Sequence, residues 1–200
     1  MSQKAFTDVL VSGAGPVGMV TALVLAESGV RTAVIDRGGR PATHSYACGL
    51  HPRSLELLDQ LGLLQEVQQQ ARRINKVVFY SGKGREAEVD LATLPVKFPY
   101  ILVLPQSVLE SLLATRLSKA HCEVLWHHRL SDLKREGNEV IAEIDQLAGT
   151  GTGYIVPRWE LVVRRTIQMN AAYVIGADGS RSTVRNLTGI EREQVAEPEY

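Results

Sequence analysis

The sequence has little cysteine and no excess of charge of either sign. Cys48 and Cys122 are the only cysteines among 200 residues, and the 22 basic side chains equal the 22 acidic ones in number. Two isolated cysteines exclude a disulfide framework and, without a secretory signal, indicate reduced thiols in the cytoplasm. The balanced charge predicts no binding to nucleic acid or to an anionic membrane.

Membrane-spanning and targeting segments are also missing. The uncharged stretch from Val9 to Ala26 carries three glycines and a proline in its first ten residues, which disfavour an isolated membrane helix. It has neither the basic head nor the cleavage site of a signal peptide. The glycine-rich segment 149–153 lacks the Lys-Ser/Thr ending of a P-loop. We therefore expect no stable membrane insertion.

A strand–turn–helix–strand pattern occupies residues 7–36. An apolar run at 9–11 predicts a buried strand, and the motif Gly13-x-Gly15-x-x-Gly18 follows it directly. Gly13 permits a sharp turn, Gly15 permits close approach of a pyrophosphate, and Gly18 permits tight packing of the helix on the sheet. This pattern is typical of a dinucleotide-binding βαβ unit.

The start of the predicted helix and the acid after the second strand complete this unit. Pro16 suits the first helical position, and the amides that follow it at Val17 and Gly18 are free to face phosphates. Asp36, followed by Arg37, lies eighteen residues after Gly18, close to the spacing of the acid that binds the adenosine ribose. The alternative, an ordinary tight βα turn, leaves Asp36 unexplained.

The middle of the chain predicts helices and a loop first, and a β-meander afterwards. Residues 37–50 read as a loop because they are polar and rich in glycine and proline. Helices are predicted to begin at Pro52, Leu63 and Pro105. Strands are predicted at 77–80, 85–91, 101–104, 123–127, 130–135, 139–145 and 154–163. The last three strands form an antiparallel meander with turns at 136–138 and 149–153, within about 123–168.

A second strand–turn–helix lies at 172–188. An apolar strand at 172–175 runs into Gly176-Ala-Asp178-Gly179, and a helix is predicted to start at Ser180 or Arg181. The N-terminus of this helix could face the same pyrophosphate, with Asp178 accepting hydrogen bonds from sugar hydroxyls or loop amides. Alternatively, Asp178 or Ser180 only caps the helix.

These motifs, in this order, resemble the N-terminal part of the group A flavoprotein monooxygenases. That family comprises FAD-dependent aromatic hydroxylases similar to p-hydroxybenzoate, phenol and polyketide hydroxylases. The resemblance is carried by five segments: Gly13 to Gly18, Val34 to Arg37, His51 to Leu58, Leu104 to Glu110, and Tyr173 to Arg185.

The resemblance implies an α/β fold, namely a Rossmann-like FAD-binding domain of glutathione-reductase type with an antiparallel β-meander insertion. Residues 1–200 would be its N-terminal portion, truncated relative to the family, with residues 37–120 forming the helical and loop segment. It implies FAD as cofactor, NAD(P)H as co-substrate and hydroxylation of a phenolic substrate through a C4a-hydroperoxyflavin. We expect a cytoplasmic location and either self-association or a missing C-terminal half.

The resemblance also assigns residues. Arg53 would lie near the flavin phosphates and ribityl chain, Gln106 would touch the ribityl chain, and Asp178 with Gly179 would contact FAD and transiently NAD(P)H. From the residues alone, Arg53 and Gln106 equally suit exposed positions at helix starts. Where relatives often carry a basic residue in a mobile loop, this chain offers His44 or Tyr46.

Three readings of function stay open at this point. The chain is the FAD-binding part of a monooxygenase, a related flavoenzyme such as a halogenase or isoprenoid reductase, or a non-catalytic FAD-binding fragment or assembly partner. No residue is predicted to be catalytic. No metal site is predicted, because adjacent His127 and His128 would point to opposite faces of one strand.

Overall fold

The computed structural model describes residues 5–39, 47–82, 84–152 and 158–193. In chain order the elements are β1 (Ala5–Ser12), α1 (Pro16–Glu27), β2 (Thr32–Asp36), β3 (Ala47–Leu50), α2 (Pro52–Gln60), α3 (Leu64–Gln70), β4 (Arg72–Ile74), β5 (Lys76–Ser81), β6 (Gly84–Asp90), a 3-10 turn (Leu91–Thr93), β7 (Ile101–Pro105), α4 (Gln106–Lys119), β8 (Val124–Trp126), β9 (His128–Glu136), β10 (Glu139–Thr152), β11 (Arg158–Gly176) and α5 (Thr183–Leu187). Two compact units result: residues 1–40 with 116–200, and residues 41–115.

The first unit is built on a six-stranded sheet with the order β8-β2-β1-β11-β10-β9. The four strands from β8 to β11 run parallel, whereas β10 and β9 are antiparallel to their neighbours. β1 lies inside the parallel part, and its Leu10 and Val11 are fully buried. This burial explains the continuous apolar run, because a parallel strand is covered on both faces.

Helix α1 connects β1 to β2 as the glycine motif predicts. Pro16 occupies its first position, and Met19, Ala22 and Leu23 are fully buried. The helix ends at Glu27, and Gly29 just after it has a φ of +80°, a left-handed conformation that glycine adopts without strain. The amide of Val30 then donates to the carbonyl of Leu25 at 3.0 Å, which closes the last turn.

Strand β11 joins two segments that the sequence treats as separate. It runs for 19 residues without a break, so the meander strand predicted to end at 163 continues into the strand predicted at 172–175. Arg164, Arg165 and Thr166 look like an interruption because they are polar, but Arg165 and Thr166 pair with β10, and Arg164 lies at an irregularity in that pairing. β11 pairs with β10 from Arg158 to Ala171 and with β1 from Met169 to Gly176.

The predicted turn at 149–153 is also wrong as far as the described residues reach. β10 continues to Thr152, and Gly149 pairs with Leu161 of β11. The pairing of β10 with β11, rather than the local glycine content, determines the backbone conformation of these residues. Residues 153–157, where the third meander strand was predicted to begin, lie outside the described residues.

The sheet of the first unit curls so that its two end strands come close together. β8 and β9 stand at opposite ends of the strand order, yet only His127 joins them. One residue spans a few ångströms, so the ends must be neighbours. His127 has a φ of +57°, and the prediction of two histidines on one strand is therefore wrong. Leu130 of β9 accordingly shares a core cluster with Leu10 and Ile35.

The second unit contains a three-stranded sheet, β3-β7-β4, and a hairpin of β5 with β6. Strands β3 and β4 were not predicted, because each is short and is held by antiparallel pairing with β7. The helices α2 and α3 start within one residue of prediction and bury Leu55, Leu58, Leu64 and Val67. Pro105 ends β7 instead of opening a helix, and α4 begins at Gln106.

No helix in the described part of the chain is long and apolar enough to cross a membrane.

Candidate functional site

The two glycine-containing turns of the first unit are in direct contact. Gly13 follows β1 with a φ of +107°, and a Cβ on it would overlap the carbonyl oxygen of Ala177 and lie 2.8 Å from the Cα of Asp178. The amide of Ala177 donates to the carbonyl of Ser12 at 2.7 Å. Parallel pairing of β1 with β11 brings Ser12 opposite Gly176, so both turns leave the sheet at the same edge.

Gly18 and Gly15 have different surroundings. A Cβ on Gly18 would overlap the carbonyl oxygen of Gly13, so this glycine is required for the helix to approach the turn. Among the described residues, no atom lies within 4 Å of the ideal Cβ position of Gly15, so this part of the structure leaves open space in front of it. The packing role predicted for Gly18 agrees with this geometry, and Gly15 leaves room for a ligand.

Helix α1 presents an N-terminus that no side chain in the described part of the chain caps. Gly15 is its N-cap residue and makes no side-chain hydrogen bond, and Pro16 at the first position has no amide hydrogen to satisfy. Val17 is 71% exposed. Uncapped amides at the positive end of a helix dipole, facing open space, are suited to bind a phosphate.

A cleft of about 320 Å³ opens beside these turns. It contains six of the predicted residues, Gly13, Gly15, Asp36, Arg37, Asp178 and Gly179. Its other lining residues are Ser12, Ile35, His128, Arg129, Leu130, Ala177, Arg181 and Thr183.

Asp36 lies at the end of β2 and braces two loops. Its Oδ2 accepts a hydrogen bond from the amide of Ala14 at 2.7 Å, and its Oδ1 accepts one from the amide of Gly38 at 2.7 Å. Each carboxylate oxygen retains capacity for a further donor. Asp36 is therefore fixed in orientation by backbone groups and can still accept hydrogen bonds from two hydroxyls.

Asp178 serves chiefly to cap α5. Its Oδ2 accepts hydrogen bonds from the amides of Thr183 and Val184 at 2.6 and 3.3 Å, and its Oδ1 accepts one from the hydroxyl of Ser182 at 2.5 Å. The prediction that the helix starts at Ser180 or Arg181 is wrong, since it starts at Thr183. Because Asp178 and Ser182 occupy its first amides, this helix end is not available to a pyrophosphate.

An ion pair beside the cleft was not found from the sequence. Nη2 of Arg129 donates to Oδ2 of Asp145 at 2.8 Å, and the hydroxyl of Thr166 donates to Oδ1 at 2.8 Å. The hydrogen bond from Arg129 holds the pKa of Asp145 below its usual value, against the opposing effect of burial. The two residues face each other across the β9–β10 hairpin. Their pairing could be predicted from the sequence only if the exact register of this hairpin were known.

The lowered pKa of Asp145 predicts a loss of stability in acid. A carboxyl whose pKa is depressed by folding stabilises the protein above its unfolded pKa of about 4, and this contribution disappears as the pH falls through the folded value. We expect the difference in urea midpoint between the wild type and Asp145→Asn to be largest near pH 7 and to shrink below about pH 4. A difference that stays constant from pH 7 to pH 3 would contradict this.

Arg53 and Gln106 belong to the second unit. Arg53 is exposed in the first turn of α2, with its Nη1 3.8 Å from Oε2 of Glu56. Gln106 begins α4 and is half-buried, and its Nε2 donates to Oε1 of the buried Glu110 at 2.7 Å. Burial and the charge of Glu110 raise the pKa of nearby Cys48. The predicted contacts of Arg53 and Gln106 with a flavin stay predictions, and His44 and Tyr46 lie outside the described residues.

In the described part of the chain, no three His, Cys, Asp or Glu side chains are placed to hold a metal ion.

Comparison with known proteins also indicates a nucleotide-binding domain. The FAD binding domain family matches residues 6–198. The chain is 34% identical to 6-methylpretetramide 4-monooxygenase of Streptomyces rimosus over 92% of its own length and 30% of that protein's length. It is 31% identical to pentachlorophenol 4-monooxygenase of Sphingobium chlorophenolicum, over 96% of its own length and 33% of the relative's.

Solved structures share the fold. p-Nitrophenol 4-monooxygenase PnpA from Pseudomonas putida DLL-E4 superposes with a TM-score of 0.84 at 25% identity, covering 96% of this chain and 46% of that one. The anhydrotetracycline hydroxylase OxyS from Streptomyces rimosus gives a TM-score of 0.77 at 30% identity, covering 93% of this chain and 34% of its own. The chain thus spans about a third of the length of the curated relatives it matches. It belongs to the FAD-binding domain family of the flavoprotein aromatic monooxygenases and matches their N-terminal portion.

Proposed function

We propose that this chain is the FAD-binding part of an NAD(P)H-dependent monooxygenase that hydroxylates a phenolic substrate. The observation that carries the proposal is the open cleft where the turn at Gly13 packs against Ala177 and Asp178. The names of its relatives, which include pentachlorophenol and p-nitrophenol monooxygenases, support the choice of a phenol.

The residues of the cleft fit the adenosine diphosphate half of FAD. The diphosphate would lie in the open space at Gly15, against the uncapped amides of α1. The carboxylate of Asp36, fixed by Ala14 and Gly38, would accept hydrogen bonds from the ribose hydroxyls. Arg53 and Gln106 are proposed to contact the phosphates and ribityl chain, and Gly179 the cofactor beside Asp178.

The protein's part in this chemistry is to bind and orient the cofactor and to exclude water. When bound, FAD would accept a hydride from NAD(P)H and activate oxygen for transfer to the aromatic ring. This oxygen transfer and the nicotinamide requirement follow from the family resemblance and form part of the proposal. No residue of this chain is assigned to the reacting atoms.

Two measurements test the proposal in order. The purified chain is mixed with FAD and desalted, and retained flavin is read from its visible absorbance. Retention near one FAD per chain supports the cofactor assignment, and an apoprotein that retains no flavin refutes it. NADH and NADPH oxidation is then followed with and without a panel of phenols, and hydroxylated product is sought by mass spectrometry.

The second measurement separates the readings that both bind FAD. Phenol-stimulated NAD(P)H oxidation with a hydroxylated product supports the monooxygenase. Retained FAD without NAD(P)H oxidation supports a non-catalytic FAD-binding fragment or assembly partner instead. NAD(P)H oxidation that phenols do not stimulate favours a related flavoenzyme of halogenase or reductase type.

A further inference from the structure

We infer that Arg129, held in place by Asp145, contacts the adenine ring of FAD and thereby sets the preference for an adenine nucleotide. The inference rests on the proposed function, since it takes the cleft at Gly15 and Asp36 to be the FAD site. It concerns residues that no motif in the sequence singles out.

The order of residues along the cleft follows the order of groups in FAD. The diphosphate is assigned to Gly15 and the adjoining ribose to Asp36, so the adenine must lie beyond Asp36. Asp36 is paired with Trp126 of β8, and the chain continues from Trp126 through His127 into β9. Arg129 is therefore placed just past the ribose site, and it lines the same cleft as Asp36.

The guanidinium of Arg129 is fixed before any ligand arrives. The side chain of Asp145 is only 9% exposed, whereas that of Arg129 is 48% exposed, so the acid is part of the protein interior and the base reaches the cleft. Thr166 holds the second oxygen of the carboxylate. A guanidinium that is anchored on one side keeps its remaining donors and its flat face in a defined orientation.

The charge of this pair favours a base over a phosphate as its ligand. Arg129 and the ionised Asp145 are together neutral, so the pair attracts an anion much less than a free arginine does. A planar guanidinium beside a flat heteroaromatic ring still gains cation–π and hydrogen-bond energy. Ile35 and Leu130 also line the cleft, but both are buried in the core, so the guanidinium is the larger surface offered to the ring.

The test compares nucleotides that contain adenine with ligands that lack it. Binding of FAD, ADP, FMN and inorganic pyrophosphate is measured by calorimetry on the wild type and on Arg129→Met, which keeps the length of the alkyl chain. We expect the affinities for FAD and ADP each to fall about 10-fold, as loss of one desolvated cation–π contact predicts. Affinities for FMN and pyrophosphate should not change.

A matched control and a conservative variant sharpen this result. Arg135 lies on the same strand, bonds to the carbonyl of Gly137 and is not part of the cleft lining, so Arg135→Met should bind FAD and ADP as the wild type does. Arg129→Lys keeps the charge without the planar group and should behave like Arg129→Met. An equal loss of pyrophosphate affinity in Arg129→Met would assign the residue to the phosphates and overturn the inference.

The positioning role of Asp145 has its own readout. Asp145→Asn as a single substitution should lower the affinity for ADP. Added to Arg129→Met, the same substitution should leave the affinity for ADP unchanged, because the acid acts only through the arginine. Urea unfolding of each variant is measured separately, so that a loss of ADP affinity can be distinguished from a loss of stability. Equal effects of Asp145→Asn in both backgrounds would overturn the role.

The outcome also separates this inference from the proposed function. Wild-type protein that binds FAD and ADP, with Arg129→Met binding both equally well, refutes the inference and leaves the FAD site intact. Wild-type protein that binds neither FAD nor ADP refutes the proposed function and the inference together.

Discussion

Gly13→Ala is expected to lower the free energy of unfolding by about 3 kcal/mol or more and to abolish FAD binding. The new Cβ would overlap the carbonyl oxygen of Ala177, and the backbone at this position has a φ of +107°. An L side chain is strained there whatever the space, and the neighbouring atoms belong to the backbone and cannot rotate away. The two turns must separate, and the cleft between them is lost.

Gly15→Ala is the matched control for this substitution. No atom of the residues that the structure describes lies within 4 Å of its Cβ position, and its φ is −73°, so stability should change by less than about 1 kcal/mol. FAD affinity should nevertheless fall, because the methyl group occupies space assigned to the diphosphate. Urea unfolding and flavin fluorescence titration distinguish the two variants. Retention of FAD by Gly13→Ala would contradict the contact between the turns.

Asp36→Ala is expected to weaken FAD binding about 100-fold. Removal of the carboxylate deletes two charge-assisted hydrogen bonds to the ribose, each worth about 1.5 kcal/mol or more. It also leaves the amides of Ala14 and Gly38 without their partner, so the loops on both sides of the ribose site lose their brace. Asp36→Asn should fall between the wild type and Asp36→Ala, because one carbonyl oxygen remains to accept a hydrogen bond.

Asp8→Ala provides the comparison for Asp36→Ala. Asp8 is also an acid in the βα unit, but it pairs with Arg31 at 2.7 Å on the surface and does not line the cleft. Its removal should leave FAD affinity unchanged, since an exposed ion pair contributes little to stability. Fluorescence titration measures the affinities of Asp8→Ala and Asp36→Ala for FAD and for FMN. Equal loss of FAD and FMN affinity in Asp36→Ala would exclude a ribose contact.

The βαβ unit could be predicted because its determinants are local. Positive φ at Gly13, close packing at Gly18 and proline at the start of α1 are properties of single residues in a short segment. The acid at Asp36 is a fixed distance along the same segment. For this reason Gly13, Gly15, Asp36 and Arg37 could be named from the sequence as residues of the cleft.

The elements that were missed depend on distant partners. β3 is a strand only because Ala47 to Leu50 pairs with β7, far along the chain. The pair of Arg129 and Asp145 requires the register of a hairpin with an irregularity between Glu143 and Ile144. Asp178 was assigned both a sugar and a capping role, and its contacts with Thr183 and Ser182 could not be weighed without coordinates.

The pairing of β1 with β11 has a consequence for biosynthesis. β1 begins at Ala5, whereas its partner in register runs from Met169 to Gly176, so the two strands leave the ribosome far apart in time. Until then the β1 edge has no neighbour on that side and the wall formed by Ala177 does not exist. The nascent polypeptide therefore cannot complete its nucleotide site gradually, and translation must pass Ala177 before FAD can bind at this turn.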